Sequence, residues 1–220
     1  MIRRRLVTLT RMSTKDRREQ FVEAAIKIMS REGLDRATTR RIAAEAGTPH
    51  GMFHYAFRDK NELLTEVVAA LTRQIENILR DAIDPTRGLA AAISDGLWAF
   101  WDHVVSDDGL QLLQYELVIF CRRTKGYEWL AEWQYARYTS AALEVLQMAA
   151  EHEPIPPGVD LTDLANFLVA AVDGLVIQYE VTHDAERCMR NVEHVIKAGT
   201  LLAGLKPRSP RRADTGIAPF

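Results

Sequence analysis

The sequence predicts an all-α protein of nine helices in two domains, a three-helix head followed by a larger helical body. Three observations predict it. Apolar residues recur at helical spacing in one segment after another, no stretch alternates apolar and polar for long, and Gly and Pro fall between the periodic segments. Charge is segregated as well: residues 1–60 hold 14 Lys/Arg against 7 Asp/Glu and residues 61–205 hold 10 against 22, so a head of +7 precedes a body of −12. The formal total of −2 conceals this. Finally, residues 38–60 set two short apolar-faced segments on either side of Gly47.

The elements follow in order. Ser13 precedes the first stripe as an N-cap with Asp16 three residues on, and Phe21, Ala25, Ile28 and Met29 give that helix its apolar face until Gly33 ends it. Short helices are predicted over 38–45 and 49–55. A long one covers 60–82, with Leu64, Val67, Val68, Leu71, Ile75 and Ile78 on one side. Asp84 followed by Pro85 reads as an N-cap with proline at the first helical position. Helices then follow over 86–105, 109–123, 126–152, 160–183 and 186–204, divided by Asp107-Asp108-Gly109, Thr124 to Gly126, the Pro154 to Gly158 cluster and His183-Asp184. The expected domains are a basic disordered arm at 1–12, the head at 13–60, the body at 61–205 and a disordered tail at 206–220, where Pro, Arg and Gly mix without apolar period.

The same reading excludes several classes. No apolar run reaches the roughly 18 uninterrupted residues of a membrane helix. The longest candidate, from Phe167 to Ile177, is cut by Asp173 and Gly174, so no membrane partner is expected. Ile2 to Thr10 carries three arginines and no apolar core, which reads against a secretory leader. Two cysteines, Cys121 and Cys188, make no disulfide framework, and a reducing cytoplasm is expected. Enzyme chemistry finds no support. A di-metal bundle needs Glu-x-x-His on each of two helices, and of the six histidines only His183 has Glu three residues before it. Glycine-rich phosphate loops, CxxC pairs and nucleophile elbows are absent, so no catalytic residue, metal ligand or cofactor is expected.

In the head, Ile42 and Ala43 supply a buried face, Gly47 permits a sharp turn, and Thr48 or Pro49 starts the next helix. Phe53 and Phe57, four apart, pin that helix inward and leave His50, Gly51, Met52, His54 and Tyr55 on the other side. This is the pattern of a helix-turn-helix, whose second helix enters the DNA major groove. The basic charge agrees with it. Arg17, Arg18 and Arg31 fit either a solvated face or phosphate contact.

Thr38, Thr39, Ile42, Ala43, Ala46, Gly47, Gly51, Phe53, Tyr55, Phe57, Lys60 and Leu63 stand where the amino-terminal domain of the TetR family of transcriptional repressors has its motif, and over residues 13–64 the chain resembles that family. It departs from the common pattern at Thr48-Pro49, at His54 in place of a tyrosine, and at Ala56. The resemblance implies a ligand-released repressor that binds a near-palindromic double-stranded DNA operator as a homodimer. It implies phosphate contacts from Thr38, Arg40, His54, Tyr55 and Lys60, and base contacts from Thr48, Pro49, His50 and Met52, with His50 the polar reader.

The acidic body offers two further features. The helix through Phe167 and Ile177 is apolar around most of its circumference and must be covered on two sides. With the helix that follows, it would form half of a four-helix bundle completed by a twofold mate, through Leu168, Val172, Leu175, Val176, Tyr179, Val192, Val195, Ile196 and Gly199. The second feature is aromatic density, since 10 of the 17 Phe, Trp and Tyr residues, including all four Trp, lie between Trp98 and Tyr138. Glu116 interrupts the stripe of Leu112, Leu113, Leu117 and Phe120, and an acid there needs a salt bridge to Arg137 or Arg123, or a ligand. The expected pocket takes an aromatic, cationic or amphipathic small molecule and comprises Trp98, Trp101, Tyr115, Glu116, Phe120, Trp133, Tyr138, Phe167 and Asp173. The competing reading is a helical interaction or ligand-binding protein that never touches DNA.

Overall fold

The computed structural model of the protein describes residues 13–106, 109–153 and 155–206. The expected arm at 1–12 and the tail beyond Lys206 lie outside the described residues, as do Asp107, Asp108 and Pro154 in two of the expected breaks. Among the described residues there are nine α-helices and no strand: α1 (Thr14–Glu32), α2 (Thr39–Glu45), α3 (Phe53–Ala56), α4 (Lys60–Ala82), α5 (Leu89–Ser106), α6 (Leu110–Arg123), α7 (Glu128–Ala150), α8 (Leu161–Thr182) and α9 (Ala185–Leu202). They divide into two compact units between Ala70 and Leu71, so the first turns of α4 belong with the head and the division falls after the boundary expected at Lys60.

In the head, Ser13 and Asp16 close the expected capping box, each side chain accepting from the other's backbone N–H. Phe21 on α1 packs edge-on to Phe53 and Phe57, with ring centroids 5.6 and 6.2 Å away, and all three rings are fully buried. Gly47 takes φ +62° after α2, a left-handed turn that a side chain would strain. The helix expected over 49–55 is instead a 3₁₀ turn at His50–Met52 leading into the single turn of α3. Proline at position 49 supplies no side-chain cap, so the first turn tightens.

Arg18 has neither of the two roles expected of it. Its guanidinium lies 4.3 Å over the Phe57 ring, pairs with Glu62 at 3.0 Å and Glu66 at 2.8 Å, and donates to the Ala56 carbonyl at 2.5 Å. One side chain thus joins α1 to the end of α3 and the start of α4. The Arg58 amide and the Arg18 guanidinium hold the Glu62 carboxyl down at about 2, below its ordinary 4.5. Because that value lies below the unfolded one, the stabilisation is complete above the unfolded value and is lost as pH falls toward the folded one. Hydrogen-exchange protection of α1 is therefore expected to fall between about pH 4.5 and pH 2, and Glu62→Gln to remove most of that dependence. An unchanged acid profile in the variant would contradict the assignment.

The body is a bundle in which α7 packs on α6 and α8, α5 on α7 and α9, and α8 on α9. Its core runs through Leu89, Ile93, Leu97, Trp101, Leu164, Leu168, Val176 and Val192. Gly199 is part of this packing, because a Cβ there would stand 3.0 Å from the Leu168 side chain and 3.4 Å from that of Ile93. Asp84 and Pro85 cap a 3₁₀ turn at Pro85–Arg87 rather than α5, whose first amide at Leu89 is capped from afar by Glu153 at 2.9 Å. Asp160 and Asp184 cap α8 and α9.

α8 bears on two expectations. Although it has no uninterrupted apolar run of membrane length, the helix as a whole is long and apolar enough to cross a bilayer. It buries one face in the bundle core and keeps a hydrogen-bonded Asp173. Of the residues expected at a subunit interface, Leu168, Leu175, Val176, Val192 and Gly199 are buried within the body, and Val172, Tyr179, Val195 and Ile196 pack against that core. The outward apolar face is a different stripe: Phe167, Ala170, Gly174, Ile177 and Val181, spaced three and four apart, with Ile177 50% and Val181 76% exposed.

Candidate functional site

The candidate functional residues fall into two groups, one in the head and one in the body. Thr38 caps α2, its hydroxyl accepting from the Arg41 amide at 3.3 Å. The Thr48 hydroxyl is turned back to the Ala43 carbonyl at 3.4 Å and is part-buried. His50 is exposed, with Nε2 3.1 Å from the Thr39 hydroxyl and its ring edge-on to His54. Pro49, His54 and Tyr55 are exposed too, Tyr55 to 81%, and Met52 is half-buried.

The head's positive charge is spent unevenly. Lys27 pairs with Glu45, Arg31 and Arg41 share Glu32, and Arg58 pairs with Glu62. Lys60 donates to the Leu34 carbonyl at 3.1 Å, and burial lowers its pKa. Its ammonium therefore keeps only part of its donor capacity for a phosphate. Arg40 is exposed and has no ion pair among the described residues. Together these groups form a surface with an imidazole, a phenol, a methionine and a free guanidinium beside a tight turn, which suits a polyanion with readable edges.

In the body, a cavity lies between the second half of α4 and helices α5 to α8, walled mainly by apolar side chains such as Ile75, Leu79, Ile93, Phe100, Val118 and Leu146. Its polar groups are few and clustered. Asp173 on α8 accepts from Tyr115 at 3.1 Å and from Tyr135. Burial pushes the Asp173 carboxyl above its ordinary value and, with that carboxylate nearby, keeps both phenols protonated as donors. Tyr135, Val169 and Asp173 also line an open depression with Thr139 and Asn166, so the acid stands where the cavity meets the surface. A second polar group comprises Gln111, Gln114, Gln134 and Tyr138. A half-buried carboxylate between two phenols in an apolar wall suits a cation with an apolar body.

A family model described as "Bacterial regulatory proteins, tetR family" matches residues 21–67. The nicotine-responsive transcriptional repressor HdnoR of Paenarthrobacter nicotinovorans is 30% identical over 169 residues, covering 77% of this chain and 86% of its own. The chain belongs to the TetR family. Solved structures agree with the fold of this TetR-family regulator: one from Pseudomonas aeruginosa PAO1 superposes with TM-score 0.70 at 25% identity, covering 90% of this chain and 96% of its own. A TetR-family member from Streptomyces coelicolor superposes with TM-score 0.65 at 20% identity, covering 85% and 98%.

Of the pocket residues expected for this TetR-family body, Tyr115, Tyr138 and Asp173 line the cavity, and the others do not. Trp101 is core, edge-on to Tyr179 at 5.3 Å, and Trp98 packs on the same core. Glu116, Phe120 and Trp133 are half-buried outside the cavity lining, and Phe167 belongs to the outer stripe of α8. Glu116 lies on the same outward side of α6 as Leu112 and Ile119, which are 49% and 51% exposed, while Leu113, Gln114, Leu117 and Cys121 face inward. Arg137, one of the two counter-charges expected for it, pairs with the buried Glu76 at 2.5 Å. Sequence reasoning missed Tyr135 and the three glutamines. The available signal was their spacing: Gln111, Gln114 and Tyr115 fall on one face of α6, and Gln134, Tyr135 and Tyr138 on one face of α7.

Proposed function

We propose that this TetR-family regulator represses transcription as a homodimer on a near-palindromic operator and is released by a small amine bound in the body cavity. The observation that carries the ligand half is Asp173, a charge burdened by burial and held by two phenols at the mouth of an apolar cavity. A protonated amine on an aromatic or otherwise apolar skeleton supplies the missing counter-charge. Nicotine, to which the relative HdnoR responds, has this chemistry and is the first compound to try.

The dimer reading rests on the outer stripe of α8, continued on α9 by the exposed Met189, Leu201 and Leu202. A second copy would cover it. Two heads would then address half-sites about one DNA turn apart. Helix α4 is continuous from Lys60 in the head to Ile75 and Leu79 in the cavity wall, so a ligand that favours one arrangement of the wall shifts the helix that carries the head.

In the head, Arg40, the amino end of α2, Tyr55, His54 and part of Lys60 hold phosphates, while His50, oriented by Thr39, reads a base edge beside Pro49 and Met52. His50→Ala is expected to flatten the preference among operator variants, whereas Arg40→Ala weakens every duplex alike and lowers the salt slope by about one. Titration of both variants against matched and scrambled duplexes reads the difference, and identical behaviour would remove the assignment. The whole proposal is tested by mobility shift on DNA from upstream of the gene. A salt-sensitive shift reversed by an amine supports it, and no shift at low salt would sink it.

A further inference from the structure

The four polar groups on α6 and α7 form a hydrogen-bond chain. Gln134 Nε2 donates to the Tyr138 hydroxyl at 2.7 Å, and Tyr138 donates onward to Gln114 Oε1 at 2.6 Å. That fixes the Gln114 amide, whose Nε2 donates to Gln111 Oε1 at 2.8 Å. Each link settles the orientation of the next, and the chain ends in a surplus donor: Gln111 Nε2 is buried with no partner. The residue is 3% exposed and belongs to the cavity wall. Buried amide nitrogens in native proteins find partners, and an orphan of this kind marks a ligand or an unseen bridge.

We propose that the ligand of this cavity carries a hydrogen-bond acceptor that docks on Gln111 Nε2, in addition to the cationic nitrogen that docks on Asp173. The effector class is thereby narrowed from apolar amines to amines with a separate lone-pair acceptor, such as an aza-aromatic ring nitrogen, a carbonyl or an ether oxygen. This rests on the reading of the cavity as the effector site. Gln111 becomes the residue that separates a heterocyclic amine from its carbocyclic counterpart, because an acceptor-free ligand leaves the amide stranded while a matched one satisfies it.

The test uses the full-length protein and a matched set of probes: phenylpiperidine and the pyridylpiperidines with each position of the ring nitrogen. All are cations of nearly one shape, and only the acceptor differs. Calorimetric titration is expected to show one pyridyl isomer binding about tenfold tighter than the phenyl compound. Isomers whose nitrogen faces the apolar wall should bind more weakly than phenyl, so the gain is positional. In Gln111→Leu the preferred isomer loses its advantage and the phenyl compound binds at least as well as before. If no isomer exceeds the phenyl compound in the wild-type protein, or if the advantage survives Gln111→Leu, the Gln111 contact is overturned while the cavity reading stands. If neither class binds the wild type at millimolar concentration, the cavity reading fails and this inference with it. Should Gln111→Leu not fold, the wild-type ratio among isomers still decides.

Discussion

Asp173→Asn should make the ligand-free protein more stable and at the same time deaf to amines. The carboxyl has a folded value raised chiefly by burial, so the folded chain holds that proton more tightly than the unfolded chain does. As pH rises through the unfolded value the unfolded chain ionises first and stability falls; above the folded value the penalty is constant. At a pH above both values the wild-type protein carries that penalty in full. Asparagine keeps an acceptor for Tyr115 and removes the charge, so melting at pH 7 should shift upward and the acid-side pH dependence from this site should vanish. Removing one partner of a buried charge pair costs roughly 2–5 kcal/mol, which weakens an amine about 30-fold or more. Scanning calorimetry and amine titration of the two proteins read both effects. A variant that melts lower, or that still answers amines with wild-type affinity, would rule out Asp173 as the cation anchor.

On the proposed dimer, Ile177→Glu should give a monomer and weaken operator binding without unfolding the body. Ile177 stands mid-stripe on the outward face of α8, 50% exposed in the single chain, so glutamate there is solvated in a monomer and buried unpaired in a dimer. Losing the second head removes the gain from linked binding, and operator affinity should fall on the order of a hundredfold or more. Ile119→Glu, at an equally exposed apolar residue on α6, is the control and should change neither property. Sedimentation and duplex titration measure the pair. A fully dimeric Ile177→Glu protein would move the interface elsewhere.

The head was legible because its signals are local. The Ser13 and Asp16 box, the turn glycine at 47 and the Phe53 and Phe57 pair each act within a few residues, and the structure uses all of them. Arg18 was not legible, since nothing in the spacing of α1 announces an acid pair some fifty residues away on α4. The body misled for two reasons. An apolar stripe search assumes that glutamines face water, yet Gln111, Gln114 and Gln134 go inside linked through one another and Tyr138, with only the Gln111 Nε2 left over, and on α6 Leu112 and Glu116 stand on the outward side. On α8 both faces are apolar, and periodicity finds two stripes without telling which meets its own chain. The answer lay in Gly199, whose missing side chain admits Leu168 and draws that stripe inward.

The three faces of α8 bear on how such a protein can diverge. Leu164 and Leu175 look to the core, Val169 and Asp173 to the cavity, and Gly174 and Ile177 away from both. A substitution touches one face and leaves the others intact. A single inserted or deleted residue rotates everything beyond it by about 100°, exchanging the stripes all at once. Descendants with new effectors should therefore differ from this chain on α8 by replacements at the cavity positions, with the length of the helix kept constant, whereas its ends and the turns beyond them are free to grow.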